Sequence, residues 1–89
     1  LQFSYRTDIY IGLGSSPTGS YYNDFWKYNI TSDSWQQIES FPGEPRSYGF
    51  SFSINNLGFV GGGYNLIQGQ WPYPKFNDLW CYKPESNKW

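Results

Sequence analysis

The chain has 89 residues and a net charge of −1, and 24% of its residues are aromatic, a composition that favours strands. It contains no histidine, which excludes histidine-based acid–base catalysis, Ser-His-Asp triads and histidine metal sites. Basic residues are scattered and no apolar run approaches about 20 residues, so we expect no nucleic-acid partner, no transmembrane segment, no cofactor and no bound metal.

The first predicted unit, residues 1–45, consists of short strands joined by loops. A variable loop, Ser15–Tyr22, follows its second strand, and Asn23-Asp24 marks the point where the chain enters the third strand. The fourth strand is predicted over Trp35–Ile38, and Phe41–Pro45 links this unit to the next one.

The second unit, residues 46–89, begins with the alternating stretch Ser47–Ile54, which predicts a strand with one bulky face and one small face. Asn55-Asn56 tolerate positive φ and suit a two-residue hairpin to a second strand, Leu57–Val60. Three glycines end that strand. The elements expected after them are a long loop over Tyr64–Phe76, a third strand over Asp78–Tyr82, a turn over Lys83–Lys88 and a fourth strand that opens at Trp89.

The two units are copies of one pattern. The motif Asn-Asp-x-Trp-x-Tyr occurs at Asn23–Tyr28 and again 54 positions later at Asn77–Tyr82. Upstream, Tyr10–Gly14 aligns with Phe59–Gly63 at a shift of 49, so the five extra residues of the second copy lie in its long loop. A unit of about 50 residues cannot bury its own faces and needs neighbours of the same kind.

The predicted fold class is all-β, because no helical periodicity occurs and four-stranded antiparallel units stack radially into a β-propeller. Two units cannot close a ring that typically needs about four to eight. Since Leu1 and Trp89 both fall inside expected strands, we favour an excerpt of a larger propeller over several chains that assemble into one. The remaining blades then belong to the same chain or to an associated one.

The glycine doublet Gly61-Gly62, followed by Tyr82 and Trp89, resembles the kelch repeat. The first unit has the same Tyr–Trp pair but reads Gly12-Leu13-Gly14 in place of the doublet. The repeated Asn-Asp-x-Trp is similar to a variant common in bacterial kelch proteins. The resemblance implies that each unit is a propeller blade, with its first strand innermost and its Trp rings wedged between blades.

In such a propeller, the loops between second and third strands and the links between blades share one face. The loop Tyr64–Phe76 on that face offers aromatic rings that could stack on a sugar or a peptide, and amides that could hydrogen-bond it. The alternative is that Trp71 and Tyr73 fold down onto the blade. The candidate ligand-binding residues are Tyr21, Tyr22, Tyr64, Asn65, Gln68, Gln70, Trp71 and Tyr73.

Asp24 and Asp78 could in principle bind a metal or act in acid–base catalysis. Because they recur in both units, we expect instead that they hydrogen-bond the backbone where the loop enters the third strand. Arg46 could bind an anion, but we favour a structural bond to loop carbonyl groups between blades.

These observations favour a non-catalytic kelch module, not an enzyme, that binds a protein or a glycan through its loops. The alternative is a part of a kelch-type propeller enzyme, an oxidase or a sugar isomerase, whose active site lies in other blades. The same resemblance suggests an extracellular, cell-surface or periplasmic location, with a cytoplasmic one left open.

Overall fold

The computed structural model describes residues 1–65, 72 and 74–89, and every regular element within them is a β-strand, which confirms the all-β prediction. The strands are β1 (Gln2–Tyr5), β2 (Asp8–Gly12), β3 (Phe25–Asn29), β4 (Ser34–Gln37), β5 (Phe50–Ile54), β6 (Leu57–Gly61) and β7 (Leu79–Tyr82). Sheet one contains β1 to β4 in that order, sheet two contains β5 to β7, and all neighbours are antiparallel. Each sheet is an up-and-down meander, as in a blade of a propeller.

The turn between β5 and β6 has the predicted two-residue form. Asn55 and Asn56 both adopt positive φ, 52° and 64°, and Ile54 pairs directly with Leu57. Positive φ at both central residues gives a turn whose twist matches that of the flanking strands. Arg6, in the corresponding turn between β1 and β2, also has a positive φ of 57°.

The strand predicted over Ser47–Ile54 is shorter than its alternation suggested, and it begins at Phe50. Tyr48 has a φ of 60°, which interrupts the extended backbone and separates Ser47 from the strand. Ser47 pairs instead with Tyr64 through two backbone hydrogen bonds of 3.0 Å each. In sheet two, Lys83 and Lys88 form an antiparallel bridge at the positions equivalent to Asn29 and Ser34, which open the β3–β4 pair of sheet one, and the fourth strand expected at Trp89 stays a prediction.

The two sheets pack face to face. One side of sheet one, here called its phenylalanine face, carries Phe3, Tyr10 and Phe25. Each of these three residues is at most 6% exposed. This face covers the side of sheet two that carries Gly58, Val60, Trp80 and Tyr82, here called its tryptophan face. The ring centroids of Phe3 and Tyr10 lie 6.1 and 5.4 Å from that of Tyr82.

Gly58 makes this close approach of the sheets possible. A Cβ atom at this position would lie 2.2 Å from Cε2 of Phe3, so the phenylalanine ring occupies the space that any larger residue would fill. The first strands of the two sheets also touch, because the Ser51 hydroxyl donates to the Gln2 carbonyl oxygen at 2.5 Å. The glycine that allows the close approach thus lies in the second strand, and in the innermost strand it is the small residue Ser51 that makes the contact.

Each sheet has a second face that the described residues leave uncovered. The outward phenylalanine face of sheet two exposes Phe50, Phe52, Ile54 and Leu79. The outward tryptophan face of sheet one, on the opposite side of the molecule, exposes Ile11, Trp26 and Trp35. In the repeat, the outward phenylalanine face of sheet two is the equivalent of the covered phenylalanine face of sheet one. Likewise, the outward tryptophan face of sheet one is the equivalent of the covered tryptophan face of sheet two.

Candidate functional site

The loops that follow β2 and β6 meet the link between the sheets on one side of the molecule. This surface, here called the loop face, comprises the described residues 13–22, 41–48, 62–65 and 74–78. The backbone N–H of Gly14, from the loop of sheet one, donates to the carbonyl oxygen of Arg46 at 3.0 Å. From sheet two, Gly62 accepts a hydrogen bond from the Arg46 side chain at 3.1 Å. Arg46 therefore joins the loops of both sheets.

A positive φ at two consecutive glycines directs the loop after β6 against the link. Gly62 and Gly63 have φ values of 65° and 87°. A Cβ atom on Gly63 would lie 2.6 Å from the carbonyl oxygen of Ser47, so a side chain there would push the two segments apart. The run of three glycines noted in the sequence therefore brings Tyr64 beside Ser47.

The Arg46 side chain is 1% exposed, and the protein itself satisfies its guanidinium group. Its Nε donates to the carbonyl oxygen of Glu44 at 3.0 Å, and its Nη2 donates to Oδ2 of Asp78 at 2.9 Å. Nη1 makes a second contact with Asp78. The charged group also lies 4.1 Å from the ring centroid of Phe76 and 5.0 Å from that of Phe41, in cation–π range.

This arrangement confirms the structural role expected for Arg46 and adds an ion pair with Asp78 that the sequence did not reveal. Hydrogen bonding from Arg46 lowers the pKa of Asp78 from 3.8 to about 2, and burial opposes that shift only in part. Asp78 is thus a carboxylate at neutral pH, bound to a cation, and it is poorly suited to act as a general acid.

Asp24 and Asp78 hydrogen-bond the loop backbone where the chain enters the third strand, as expected, but through their own carbonyl oxygens, whereas their carboxylates accept from indole nitrogens. Oδ2 of Asp24 accepts a hydrogen bond from Nε1 of Trp26 at 2.8 Å, and Oδ2 of Asp78 accepts one from Nε1 of Trp80 at the same distance. It is the backbone carbonyl groups of both Asp residues that bind the loop, since they accept from Leu13 and Gly62. The repeated Asn-Asp-x-Trp motif therefore orients an indole ring.

Two oxygen atoms on the loop face are buried and have no hydrogen-bond partner within the described part of the chain: Oγ of Ser47 and Oδ1 of Asn65. The amide nitrogen of Asn65 donates to the carbonyl oxygen of Pro45 at 2.9 Å, which holds this side chain against the link. Because unsatisfied buried oxygens are costly, these two atoms are the polar groups of the loop face that an internal water molecule would satisfy.

Of the predicted ligand-binding residues, Gln68, Gln70, Trp71 and Tyr73 lie outside the described residues. The others lie on the loop face, where Tyr64 and Tyr21 are partly buried and Tyr22 is exposed. The structure adds Tyr48, which is 76% exposed and stacks on Tyr64 with ring centroids 5.1 Å apart and an interplanar angle of 6°. The alternating sequence pattern predicted that Tyr48 lies within a strand. Its positive φ in the structure shows that it belongs to the loop face instead.

The described residues of the loop face carry aromatic rings and hydrogen-bonding groups. Among the described residues, no three His, Cys, Asp or Glu side chains are grouped closely enough to hold a metal ion. The same part of the chain has no helix long and apolar enough to cross a membrane. What the loop face offers is a flat tyrosine pair next to buried hydrogen-bonding oxygens.

No family model matches the chain. It is similar to several curated proteins named N-acetylneuraminate epimerase. Identity is 35% over 81 residues with the protein of Salmonella arizonae, 33% over 81 residues with that of Salmonella typhi and 30% over 82 residues with that of Yersinia enterocolitica. Each match covers 91% of this chain, which spans about a fifth (20%) of the length of these relatives.

The relatives correct the expectation of a protein that is not an enzyme. They are named as an enzyme that acts on a sugar, which agrees with the alternative of a propeller enzyme and contradicts the non-catalytic assignment. The sequence led to the wrong choice because these two units contain no histidine and no cluster of catalytic groups. A propeller distributes its active-site residues over many blades, so a few blades can lack them.

Proposed function

We propose that this chain contributes two kelch-type blades, within the predicted bounds 1–45 and 46–89, to a β-propeller enzyme that epimerises N-acetylneuraminate or a closely related acidic sugar. The observation that carries the proposal is the similarity to N-acetylneuraminate epimerases at 30–35% identity along 91% of the chain. Two further observations support the proposal independently of that similarity. The two sheets are repeats that stack on each other, and the chain has the kelch-like residues Gly61-Gly62, Tyr82 and Trp89.

In this enzyme the loop face forms one wall of the sugar-binding site. Tyr48, whose ring stacks on that of Tyr64 and is 76% exposed, presents a flat aromatic face of the kind on which the apolar side of a sugar ring stacks. Ser47 and Asn65 are the sequence neighbours of these two tyrosines, and their buried side chains hold the link and the loop together beneath the aromatic face. We assign recognition to this aromatic face and leave the proton transfer of an epimerisation to groups elsewhere in the enzyme.

Arg46 does not bind the sugar carboxylate in this proposal. Its guanidinium group is buried and already bound to Asp78, Gly62 and Glu44, so binding a second anion would require breaking the contacts that hold the link against the loop of sheet two. The carboxylate of an acidic sugar must therefore be neutralised by another residue of the complete site.

A chimeric enzyme tests the proposal. The matching region of the Salmonella typhi epimerase is replaced by this chain, and interconversion of N-acetylneuraminate epimers is followed by NMR. We expect a folded chimera that keeps the activity. A chimera with the circular dichroism and melting temperature of the parent but no activity would contradict the shared function, and one that fails to fold would contradict the shared blade structure.

Within that chimera, Tyr48→Ala is expected to raise KM about tenfold with little change in kcat, because stacking contributes to binding and not to chemistry. The matched control is Ile30→Ala. Ile30 is also an exposed apolar residue, but it lies in the turn after β3, outside the loop face. Equal effects of the two substitutions would remove Tyr48 from the site.

A further inference from the structure

A small polar cleft lies between the two sheets, at the end of the strands opposite the loop face. It has a volume of about 240 Å³ and lies between the turn that joins β1 to β2 and the turn that joins β5 to β6. Since β5 is five residues long, about 15 Å of strand separates this cleft from the loop face. The lining includes Tyr5 and five polar residues, Ser4, Arg6, Ser53, Asn55 and Asn56.

The polar side chains of this cleft are available to a ligand. Within residues 1–65, 72 and 74–89, its two serine and two asparagine side chains make no hydrogen bond. Arg6 forms no ion pair within the same residues and lies over the ring of Tyr5, with its Cζ 5.2 Å from the ring centroid. The N–H groups of the guanidinium therefore remain free to donate to another partner.

The described lining of the cleft contains no carboxylate. Asp8 pairs with Tyr5 across the hairpin, but its Oδ1 accepts a hydrogen bond from Nδ2 of Asn29 at 2.7 Å. Glu85 accepts a hydrogen bond from the hydroxyl group of Tyr5 at 3.2 Å and forms no ion pair with Arg6. The lining residues thus carry one positive charge and no negative charge, which favours an anionic ligand.

The turn itself does not require an arginine. Arg6 has a φ of 57°, and Asn55, its equivalent in the repeat, has a φ of 52°. Asparagine adopts this left-handed conformation more readily than arginine does, so asparagine would form the first turn at a lower cost. The arginine places a charged, exposed group at the edge of the cleft, and that is a property of a binding site.

We propose that this cleft binds the phosphate group of a small ligand, with Arg6 as its principal contact. The planar fork of a guanidinium group matches two phosphate oxygens at once. The two hydroxyl groups and two amide groups of the lining add further donors, more than the two oxygens of a carboxylate can use beside the guanidinium. The proposal does not depend on the sugar site proposed for the loop face.

Titration with inorganic phosphate tests the proposal on the folded, nitrogen-15-labelled chain, with chloride keeping the ionic strength constant. We expect saturable shifts of the amide resonances of Arg6, Ser53 and Asn55, and no shift of Tyr48 on the loop face. Acetate should bind at least about threefold more weakly than phosphate. Shifts that do not saturate, shifts that centre on the loop face, or acetate that binds as tightly as phosphate would each overturn the phosphate site.

Three variants separate a built site from general attraction of anions. Arg6→Gln should weaken phosphate binding about tenfold, because it removes the charged fork. Arg6→Lys keeps the charge without the fork and should lose an intermediate factor. The matched control is Lys27→Gln, which removes one positive charge from β3, outside the cleft, and should leave the affinity unchanged. Equal losses in Arg6→Gln and Lys27→Gln overturn the proposal.

A further variant decides the question if Arg6→Gln does not fold. Ser53→Ala leaves Arg6 in place and removes one hydroxyl donor from the opposite side of the cleft. It should weaken phosphate binding about threefold. A folded Ser53→Ala chain that binds phosphate as tightly as the unchanged chain overturns the proposal.

Discussion

Arg46 shows at the residue scale how much a single side chain can contribute to holding the link against the loop of sheet two. It is buried between two aromatic rings, pairs with Asp78 and binds carbonyl groups of both the link and the loop after β6. The sequence predicted the carbonyl contacts because Arg46 lies in the link between units. It could not predict the ion pair, since Asp78 is 32 residues away and lies beside Arg46 only once β5 and β6 have paired and β7 has joined them.

The repeat offers a matched pair of substitutions that isolates this ion pair. Asp78→Asn keeps an acceptor for the Trp80 indole but leaves the buried Arg46 without its counter-charge, so we expect a loss of about 2 kcal/mol or more in the free energy of unfolding. Asp24→Asn keeps the equivalent bond to Trp26 and should cost less than about 0.5 kcal/mol, since Asp24 has no cationic partner among the described residues. Urea denaturation measures both, and equal losses would show that Arg46 does not depend on Asp78.

The same pair predicts how stability changes in acid. The pKa of Asp78 is lowered in the folded protein to about 2 from an ordinary 3.8, chiefly by the hydrogen bond from Arg46. Its contribution to stability is therefore complete above the ordinary value and is lost as the pH falls from about 4 toward 2. The difference in unfolding free energy between the unchanged chain and Asp78→Asn should shrink over this interval. A difference that stays constant from neutral pH to pH 2 contradicts the assigned pKa.

At the scale of elements, the sequence predicted best what depends on local conformation. The strand pairs and the Asn55-Asn56 turn are confirmed, because alternation and a preference for positive φ act within a few residues. The start of β5 was wrong, since Ser47 and Tyr48 continue the alternating pattern although their conformation is set by pairing with the loop after β6. Contacts with a distant segment leave no such local pattern.

Replacing Asn56 tests the turn. Its φ of 64° is one that glycine adopts without cost and other residues adopt at about 1 kcal/mol. Asn56→Gly should therefore raise the free energy of unfolding slightly, whereas Asn56→Ala should lower it by about 1 kcal/mol. Chemical denaturation of the two variants gives the comparison, and a more stable Asn56→Ala would exclude the assigned turn.

At the scale of the whole molecule, the repeat predicted that sheets stack through aromatic faces, but it did not show which faces are covered. Trp80 and Trp89 lie against the core, as expected for rings between blades, whereas the equivalent Trp26 and Trp35 are on the outward face of sheet one. The candidate site was predicted only in part. Tyr64 is on the loop face, but its stacking partner Tyr48 depends on a backbone conformation that no residue type in this segment signals.

The contact between Phe3 and Gly58 tests most directly whether the repeated sheets stack in this way. In a nuclear Overhauser spectrum of the folded chain, the ring protons of Phe3 should give strong cross-peaks to the Hα protons of Gly58. The ring should also shift those Hα resonances upfield. Both effects should disappear in Phe3→Leu. A folded chain with no such cross-peaks and with Gly58 resonances at random-coil positions would contradict the face-to-face packing of the two sheets.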